Sequence, residues 1–187
     1  MSSHPLTTGP LTAWLFGKLP THGDFIAREL SPARRDELDL WLSDEMVQAR
    51  EVLGARFEDA YDAATPWLLR ARDDAGHWHG AAICPSVDAA GRRFPIIAGA
   101  GADDAMMAAG MALCAEQAIY RAFEHGLSAD GLHPLLANDH AAATLAPDVP
   151  LAEGWWRDGN ERVGPDHLAG FAPTGLVTRM LRDFIDG

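Results

Sequence analysis

Residues 16–25 read Phe16-Gly17-Lys18-Leu19-Pro20-Thr21-His22-Gly23-Asp24-Phe25, a turn-rich stretch that follows a short apolar segment. A second such stretch begins about 70 residues further on and reads Pro85-Ser86-Val87-Asp88-Ala89-Ala90-Gly91-Arg92-Arg93-Phe94-Pro95. Both set Gly, Pro and charged residues directly beside apolar, strand-like segments. Because Gly widens and Pro narrows the allowed backbone conformations, we expect each stretch to follow one defined path.

The chain around these stretches predicts alternating helices and strands. A strand over 11–16 precedes the first turn. Ser31-Pro32 then opens an amphipathic helix that runs to about residue 52, because Ser is a good N-cap and Pro suits the first helical position. A shorter helix over 55–61 follows. Strands are predicted over 67–71, 78–84 and 94–99, and their short connections imply antiparallel neighbours.

The second half of the chain continues this alternation. A long helix is predicted over about 105–124, and residues 127–150 favour short helical pieces and loops. A strand over 153–157 and a return strand at 162–163 precede a helix opened by Pro173-Thr174. This order predicts one α/β domain over 1–187, with a flexible lead at 1–10 and helices on both faces of a largely antiparallel sheet.

Composition and charge restrict the class of protein. The 187 residues carry a net charge of −12, which excludes free nucleic acid as a partner and favours a basic protein surface. No apolar run approaches the roughly 20 residues that a membrane helix needs, so we expect no membrane insertion. The N-terminus has no signal-peptide pattern. Cys84 and Cys114 lie among apolar residues, which predicts two reduced, buried thiols in a cytosolic protein.

Asp24 and Asp88 allow two interpretations. In the first, they are paired carboxylates of an enzyme in which Ser86 or His22 serves as nucleophile or base. In the second, each is a turn former whose carboxylate accepts backbone N–H groups and is neutralised by Arg92 or Arg93. Both aspartates lie next to Gly or within a turn, and this setting favours the second interpretation.

Two further pairs of residues are candidates for a site. His77 and His79 share one face of a predicted strand, but no third metal ligand lies at a suitable spacing, so we interpret both as solvent-facing. Trp155 and Trp156 point to opposite faces of a strand, so either both pack in the core or one is an exposed interface anchor. No nucleotide-binding or hydrolase motif is present, and we expect no metal or nucleotide cofactor.

The two stretches together resemble the signatures of the TagF/ImpM family of type VI secretion-associated proteins. The first family pattern matches at Gly17, Lys18, Leu19, Pro20, Gly23, Asp24 and Phe25. The second matches at Pro85, Ser86, Val87, Asp88, Gly91, Arg92, Arg93, Phe94 and Pro95. A late Trp pair before a Gly-containing turn matches Trp155 and Trp156. The resemblance extends over about residues 12–184.

This resemblance implies a three-layer α/β/α sandwich with a largely antiparallel central sheet, in the cytoplasm of a bacterium. It implies a non-enzymatic regulator that restrains type VI secretion post-translationally by binding a forkhead-associated scaffold protein of the apparatus. It supplies no catalytic residues and no cofactor. The residues leave one alternative open, a small cytosolic hydrolase or phosphate-handling enzyme that uses the turns of Lys18, Asp24, Ser86 and Asp88.

Overall fold

The computed structural model describes residues 12–138, 152–159 and 164–182. In chain order the elements are β1 (Ala13–Gly17), β2 (Ile26–Arg28), α1 (Pro32–Leu53), α2 (Phe57–Ala63), β3 (Trp67–Arg72), β4 (Trp78–Cys84), β5 (Ile96–Ala102), α3 (Ala105–His125), α4 (Ala129–Asn138), β6 (Gly154–Arg157), β7 (Asp166–Leu168) and α5 (Leu176–Arg182). The lead predicted at 1–10 and the return strand predicted at 162–163 lie outside the described residues. β6 pairs with β3 on one side and with β7 on the other.

The seven strands form one sheet in the order β2-β1-β5-β4-β3-β6-β7, and every neighbouring pair is antiparallel. β1 and β5 are therefore adjacent although about 80 residues of chain separate them. Gly17 at the end of β1 pairs with Ile96 at the start of β5. The first turn stretch follows the end of β1, and the second turn stretch precedes the start of β5. Because these two strand ends are neighbours in the sheet, the two stretches lie close together.

Buried side chains form two hydrophobic clusters. One contains Trp14 and Phe16 of β1 together with side chains from α1, α2 and α5. The other contains Ala13 and Leu15 of β1 together with side chains from α3 and α4. Since successive side chains of a strand point to opposite faces, the clusters lie on the two faces of the sheet. The prediction of a mixed α/β fold with a largely antiparallel sheet is confirmed, and the three-layer arrangement stays a prediction that both clusters support.

The face that contacts α3 is built from small residues. Six alanines of α3 and Gly110 are buried, and β4 and β5 contribute Gly80 and Gly99. A Cβ atom at Gly80 would overlap the carbonyl oxygen of Ala108 in α3. The helix therefore lies close to the sheet only because these positions lack larger side chains.

The helix start predicted at Ser31-Pro32 is confirmed, whereas α5 begins at Leu176 and not at Pro173-Thr174. Ser31 Oγ accepts the N–H of Arg34 at 3.2 Å, and an oxygen of Asp104 accepts the N–H of Met107 at 2.8 Å. Strand β2 was not predicted. Strand β5 begins at Ile96 and not at residue 94, because the N–H of Phe94 donates to Ser86 within the second turn.

Neither cysteine of the chain forms a disulfide, and both are buried as predicted. Among the described residues, no helix is long and apolar enough to cross a membrane.

Candidate functional site

Asp88 is the centre of the site that the two turn stretches form. Its side chain has no exposed surface, and its Oδ2 lies 2.9 Å from Lys18 Nζ and 2.7 Å from Arg92 Nε. Its Oδ1 accepts the N–H groups of Ala90 and Arg92, each at 3.0 Å. The hydrogen bond from Lys18 is the main cause that lowers the pKa of this carboxyl well below its usual range, and the donors from Arg92 and Ala90 add to it. Asp88 is thus a fully paired carboxylate that joins the two stretches.

Ser86 makes a second connection between the stretches. Its Oγ donates to the carbonyl oxygen of Lys18 at 2.8 Å. Its N–H donates to Tyr61 Oη at 3.0 Å, and that hydroxyl donates back to the carbonyl oxygen of Ser86 at 3.1 Å. Burial raises the pKa of Tyr61 well above its ordinary value, so this phenol stays protonated and can donate. The Ser86 hydroxyl is held by main-chain oxygen and has no basic side chain as a partner.

The neighbourhood of Asp24 differs from that of Asp88. Asp24 is exposed, and its Oδ1 accepts the N–H of the next residue, Phe25, at 2.8 Å. Arg92 reaches this turn, but it donates to the carbonyl oxygen of Gly23 at 2.7 Å and not to the Asp24 carboxylate. The interpretation of Asp24 and Asp88 as turn formers is therefore supported, whereas the arginine expected beside the Asp24 carboxylate is not there.

Arg93 has a different partner from the one expected. Its Nε and Nη2 donate to the two carboxylate oxygens of Asp62 in α2, at 2.8 and 2.7 Å. Its Nη1 lies 3.3 Å from Glu58. The two adjacent arginines of the second stretch thus point to different parts of the molecule, and Arg93 attaches the turn to α2.

His22 belongs to the same junction through other contacts. Its carbonyl oxygen accepts the N–H of Ala89 at 2.8 Å, and its Nε2 accepts the N–H of Ala129 at 2.9 Å. His22 therefore connects the first turn to the second turn and to the start of α4.

A group of aromatic rings covers the Lys18 ammonium. Lys18 Nζ lies 4.9 Å from the ring centroid of Phe25, a cation–π distance. The Phe25 ring lies 4.7 Å from that of Phe94 and 5.9 Å from that of Phe16. Phe25 nevertheless keeps 43% of its surface exposed. It is therefore both a lid over the buried ion pair and an apolar side chain presented to solvent.

An apolar groove lies beside Tyr61 and Ser86. It encloses about 430 Å³, and its wall includes Pro20, Pro66, Pro85, Val87, Tyr120 and Phe123. We call it the proline groove. Tyr120 is 49% exposed at its rim, and desolvation raises the pKa of this phenol to about 12. Both turn stretches contribute prolines to this groove, so its shape depends on the junction that Asp88 and Ser86 hold.

The two tryptophans of the third family pattern do not form a surface. Trp155 and Trp156 are buried, one in each hydrophobic cluster. Trp155 Nε1 donates to the carbonyl oxygen of Phe171 at 2.8 Å. The interpretation that both pack in the core is confirmed, and the alternative of an exposed anchor is wrong.

The histidine pair is also arranged differently from the expectation. His77 precedes β4 and is exposed, whereas His79 is partly buried, with its Nε2 3.0 Å from Asp73 Oδ2. His79 packs against Trp14 and Phe171, because it points to the face of the aromatic cluster and not to solvent. Within the part of the chain that the structure describes, no three His, Cys, Asp or Glu side chains are grouped so that they could hold a metal ion.

The sequence alone did not predict which residues elsewhere in the chain contact the second turn stretch. Lys18, Tyr61 and Asp62 make its strongest contacts, and none of them was assigned to Asp88, Ser86 or Arg93 beforehand. A lysine inside an otherwise apolar, turn-forming pattern was the one available signal for a buried counter-ion. It could not be used without knowing that β1 and β5 are neighbours.

The region that contains both interlocked turn stretches also matches a known protein family. A family model described as the TagF N-terminal domain, type VI secretion system-associated, matches residues 14–146, which include both turn stretches. The chain belongs to the TagF family.

Comparison with solved structures supports the fold. The crystal structure of PA0076 from Pseudomonas aeruginosa PAO1, at 2.05 Å resolution, matches with a TM-score of 0.67 and 21% sequence identity. The match covers 91% of this chain and 94% of that one. At this identity the likeness establishes a shared fold and no more. No curated protein matches the chain significantly.

Proposed function

We propose that this protein is a non-enzymatic, cytoplasmic regulator that restrains type VI secretion post-translationally by binding a forkhead-associated scaffold protein of the apparatus. Membership of the TagF family supports the association with type VI secretion. The observation that carries the binding role is the pair of exposed aromatic side chains, Phe25 and Tyr120, beside the interlocked turns. Aromatic residues of this kind supply most of the binding energy in protein interfaces.

The proline groove is suited to receive an apolar side chain of the partner. Its wall is largely apolar, and its prolines and aromatic rings lose little conformational freedom when a partner binds. Tyr120 combines a large apolar ring with a hydroxyl that can hydrogen-bond at the rim. The groove thus offers contact area at low entropic cost.

The electrostatic field of the chain supports a basic partner surface. A net charge of −12 steers a basic patch toward the protein and raises the association rate. Salt screens this field over roughly 8–10 Å near physiological ionic strength. Association with the scaffold should therefore slow as salt is added, while dissociation changes little.

The hydrogen bonds of the candidate catalytic side chains support the proposal that the protein binds a partner and is not an enzyme. Ser86 Oγ donates to a main-chain oxygen, and Asp88 is saturated by Lys18, Arg92 and two N–H groups. The Asp24 carboxylate accepts the N–H of Phe25 in its own turn. A nucleophile needs a base within hydrogen-bond reach, and no such pair is formed by these side chains.

The test is binding of the purified scaffold protein to the wild type and to the Tyr120→Ser variant. We expect the variant to bind at least about tenfold more weakly, as a central aromatic anchor would. Leu40→Ser on α1 is the matched control, because Leu40 is 67% exposed and lies outside the groove. Equal affinity of the wild type and Tyr120→Ser would remove the groove from the contact, and absence of binding in the wild type would overturn the proposal.

A further inference from the structure

A second cavity, of about 490 Å³, is lined by an unusual set of charges. Its wall includes four cationic side chains, Lys18, Arg50, Arg92 and Arg93, and one acidic side chain, Glu58. Phe57 and Phe94 complete the wall with apolar surface. This concentration of positive charge occurs in a chain whose net charge is −12. It therefore needs an explanation other than general surface composition.

Three of the four cations keep unused hydrogen-bond donors. Lys18 has three N–H donors, and one of them binds Asp88. Arg92 has five, of which one binds Asp88 and one binds the carbonyl oxygen of Gly23, while its side chain stays 62% exposed. Arg50 lies over the Phe57 ring at 4.9 Å and makes no ion pair with a carboxylate among the described residues. Arg93 differs from these three, because its guanidinium forms ion pairs with Asp62 and Glu58.

The local charge balance favours an anion. Lys18 and Arg92 share the single carboxylate of Asp88, and Arg50 adds a further positive charge that no carboxylate of the described residues pairs with. The carboxylates of Asp62 and Glu58 offset Arg93. The four cations and three carboxylates leave one net positive charge around the cavity. Because concave walls of low dielectric concentrate an electrostatic field, this charge acts most strongly inside the cavity.

We propose that this cavity binds a phosphoryl group carried on an organic body. The planar guanidinium of Arg50 or Arg92 presents paired N–H groups that match phosphate oxygens, and Lys18 adds a point charge. The rings of Phe57 and Phe94 give the organic body an apolar surface to cover, which an inorganic ion would leave unused. The site lies on the Gly91-Arg92-Arg93-Phe94 segment of the second turn stretch and is distinct from the proline groove.

The mode of approach follows from the same charges. The chain as a whole repels anions at long range, so a phosphorylated ligand gains attraction only when it reaches contact distance with the cavity. Binding should therefore select for shape and for the apolar body as well as for charge. This inference does not depend on the identity of the scaffold protein, and it holds or fails without reference to that contact.

The experiment is calorimetric titration of the wild-type chain at fixed ionic strength with a phosphoserine peptide, O-phosphoserine, inorganic phosphate and acetate. We expect saturable binding of the peptide, weaker binding of O-phosphoserine and inorganic phosphate, and no saturation with acetate. No saturable binding of the phosphopeptide would overturn the proposal. Equal affinity for the peptide and for inorganic phosphate would overturn the role given to the organic body.

Two variants with the same change in net charge separate a built site from general attraction. Arg50→Gln removes a cavity cation that has no carboxylate partner, so we expect the fold to stay intact and the peptide to bind about tenfold more weakly. Arg35→Gln is the matched control, because Arg35 is exposed on the same helix and, among the described residues, its side chain pairs with the adjacent Asp36. A similar loss of affinity in both variants would contradict the proposal.

Discussion

Asp24 and Asp88 both lie in turns that contain a glycine, but the surroundings of their carboxylates are very different. Asp24 is exposed, and its carboxylate accepts one N–H from the adjacent residue. Asp88 is completely buried, and its carboxylate is shared by Lys18, Arg92 and two backbone N–H groups. Both aspartates form turns, as their settings predict. The difference arises because Asp88 contacts Lys18, which is 70 residues away in the chain. The pairing of β1 with β5 brings these two residues together.

The comparison separates a local role from a tertiary role. A turn former that faces water can be replaced at little cost, because water supplies the lost hydrogen bonds. A buried carboxylate that neutralises a buried ammonium cannot, because its removal leaves an uncompensated charge.

The Asp88→Ala variant should show the largest loss of stability. It leaves the Lys18 ammonium buried without its carboxylate, and it frees the N–H groups of Ala90 and Arg92. We expect the thermal midpoint, followed by circular dichroism, to fall by roughly 10 °C. An unchanged midpoint would contradict the central role of Asp88.

The pH dependence of stability should distinguish the charge of Asp88 from its shape. Its pKa is lowered in the folded state, so the carboxylate contributes stability above its unfolded pKa of about 3.9, and this contribution is lost as pH falls further. The Asp88→Asn variant lacks that contribution at every pH. We therefore expect the difference in unfolding free energy between the wild type and Asp88→Asn to shrink below about pH 4. A difference that stays constant down to pH 2 would show that the charge is not what stabilises the turn.

The Lys18→Met variant should have a smaller effect than Asp88→Ala. It removes one of four donors and keeps the apolar stem beside Phe25, while Arg92 and two N–H groups still satisfy Asp88. We expect a decrease in thermal midpoint of about half that of Asp88→Ala. In the double variant the effects should not add, because each single change removes the same ion pair. Additive effects would show that Lys18 and Asp88 act independently.

The Asp24→Ala variant should have the smallest effect. Its carboxylate is exposed and bonded only within its own turn, so we expect the unfolding free energy to change by no more than about 0.5 kcal/mol. Chemical denaturation of this variant beside Asp88→Ala is the direct form of the comparison. A loss comparable to that of Asp88→Ala would mean that exposure does not explain the difference between the two turns.

Much of the fold was predictable because its signals are local. Ser31 and Asp104 cap helices that begin within one residue of the predicted positions. Strand β2 was missed, because three residues carry no periodic pattern and its pairing with β1 is a tertiary contact. His79 was assigned to the wrong environment for a similar reason, since alternation gives two faces but does not say which one packs against Trp14 and Phe171.

The candidate site was predictable in its residues and not in its connections. The turn stretches, and the use of Asp88 as an acceptor, follow from turn chemistry. The partners Lys18, Tyr61 and Asp62 do not, because they approach through strand order and through the placement of α2. Charge composition gave no sign of the cationic cavity, because its four positive side chains come from three distant parts of the sequence and are outnumbered by acidic residues in the chain as a whole.

The Lys18–Asp88 ion pair also has a consequence for the order of folding events. Its members are 70 residues apart, and the chain between them includes α1, α2, β3 and β4. Because the pair depends on the contact between β1 and β5, which are distant in the sequence, we expect it to form late in folding and to contribute little to the rate-limiting nucleus. Loss of the pair should accordingly leave the refolding rate almost unchanged and accelerate unfolding. The buried ion pair should therefore lengthen the lifetime of the native state by slowing unfolding, with little effect on the folding rate.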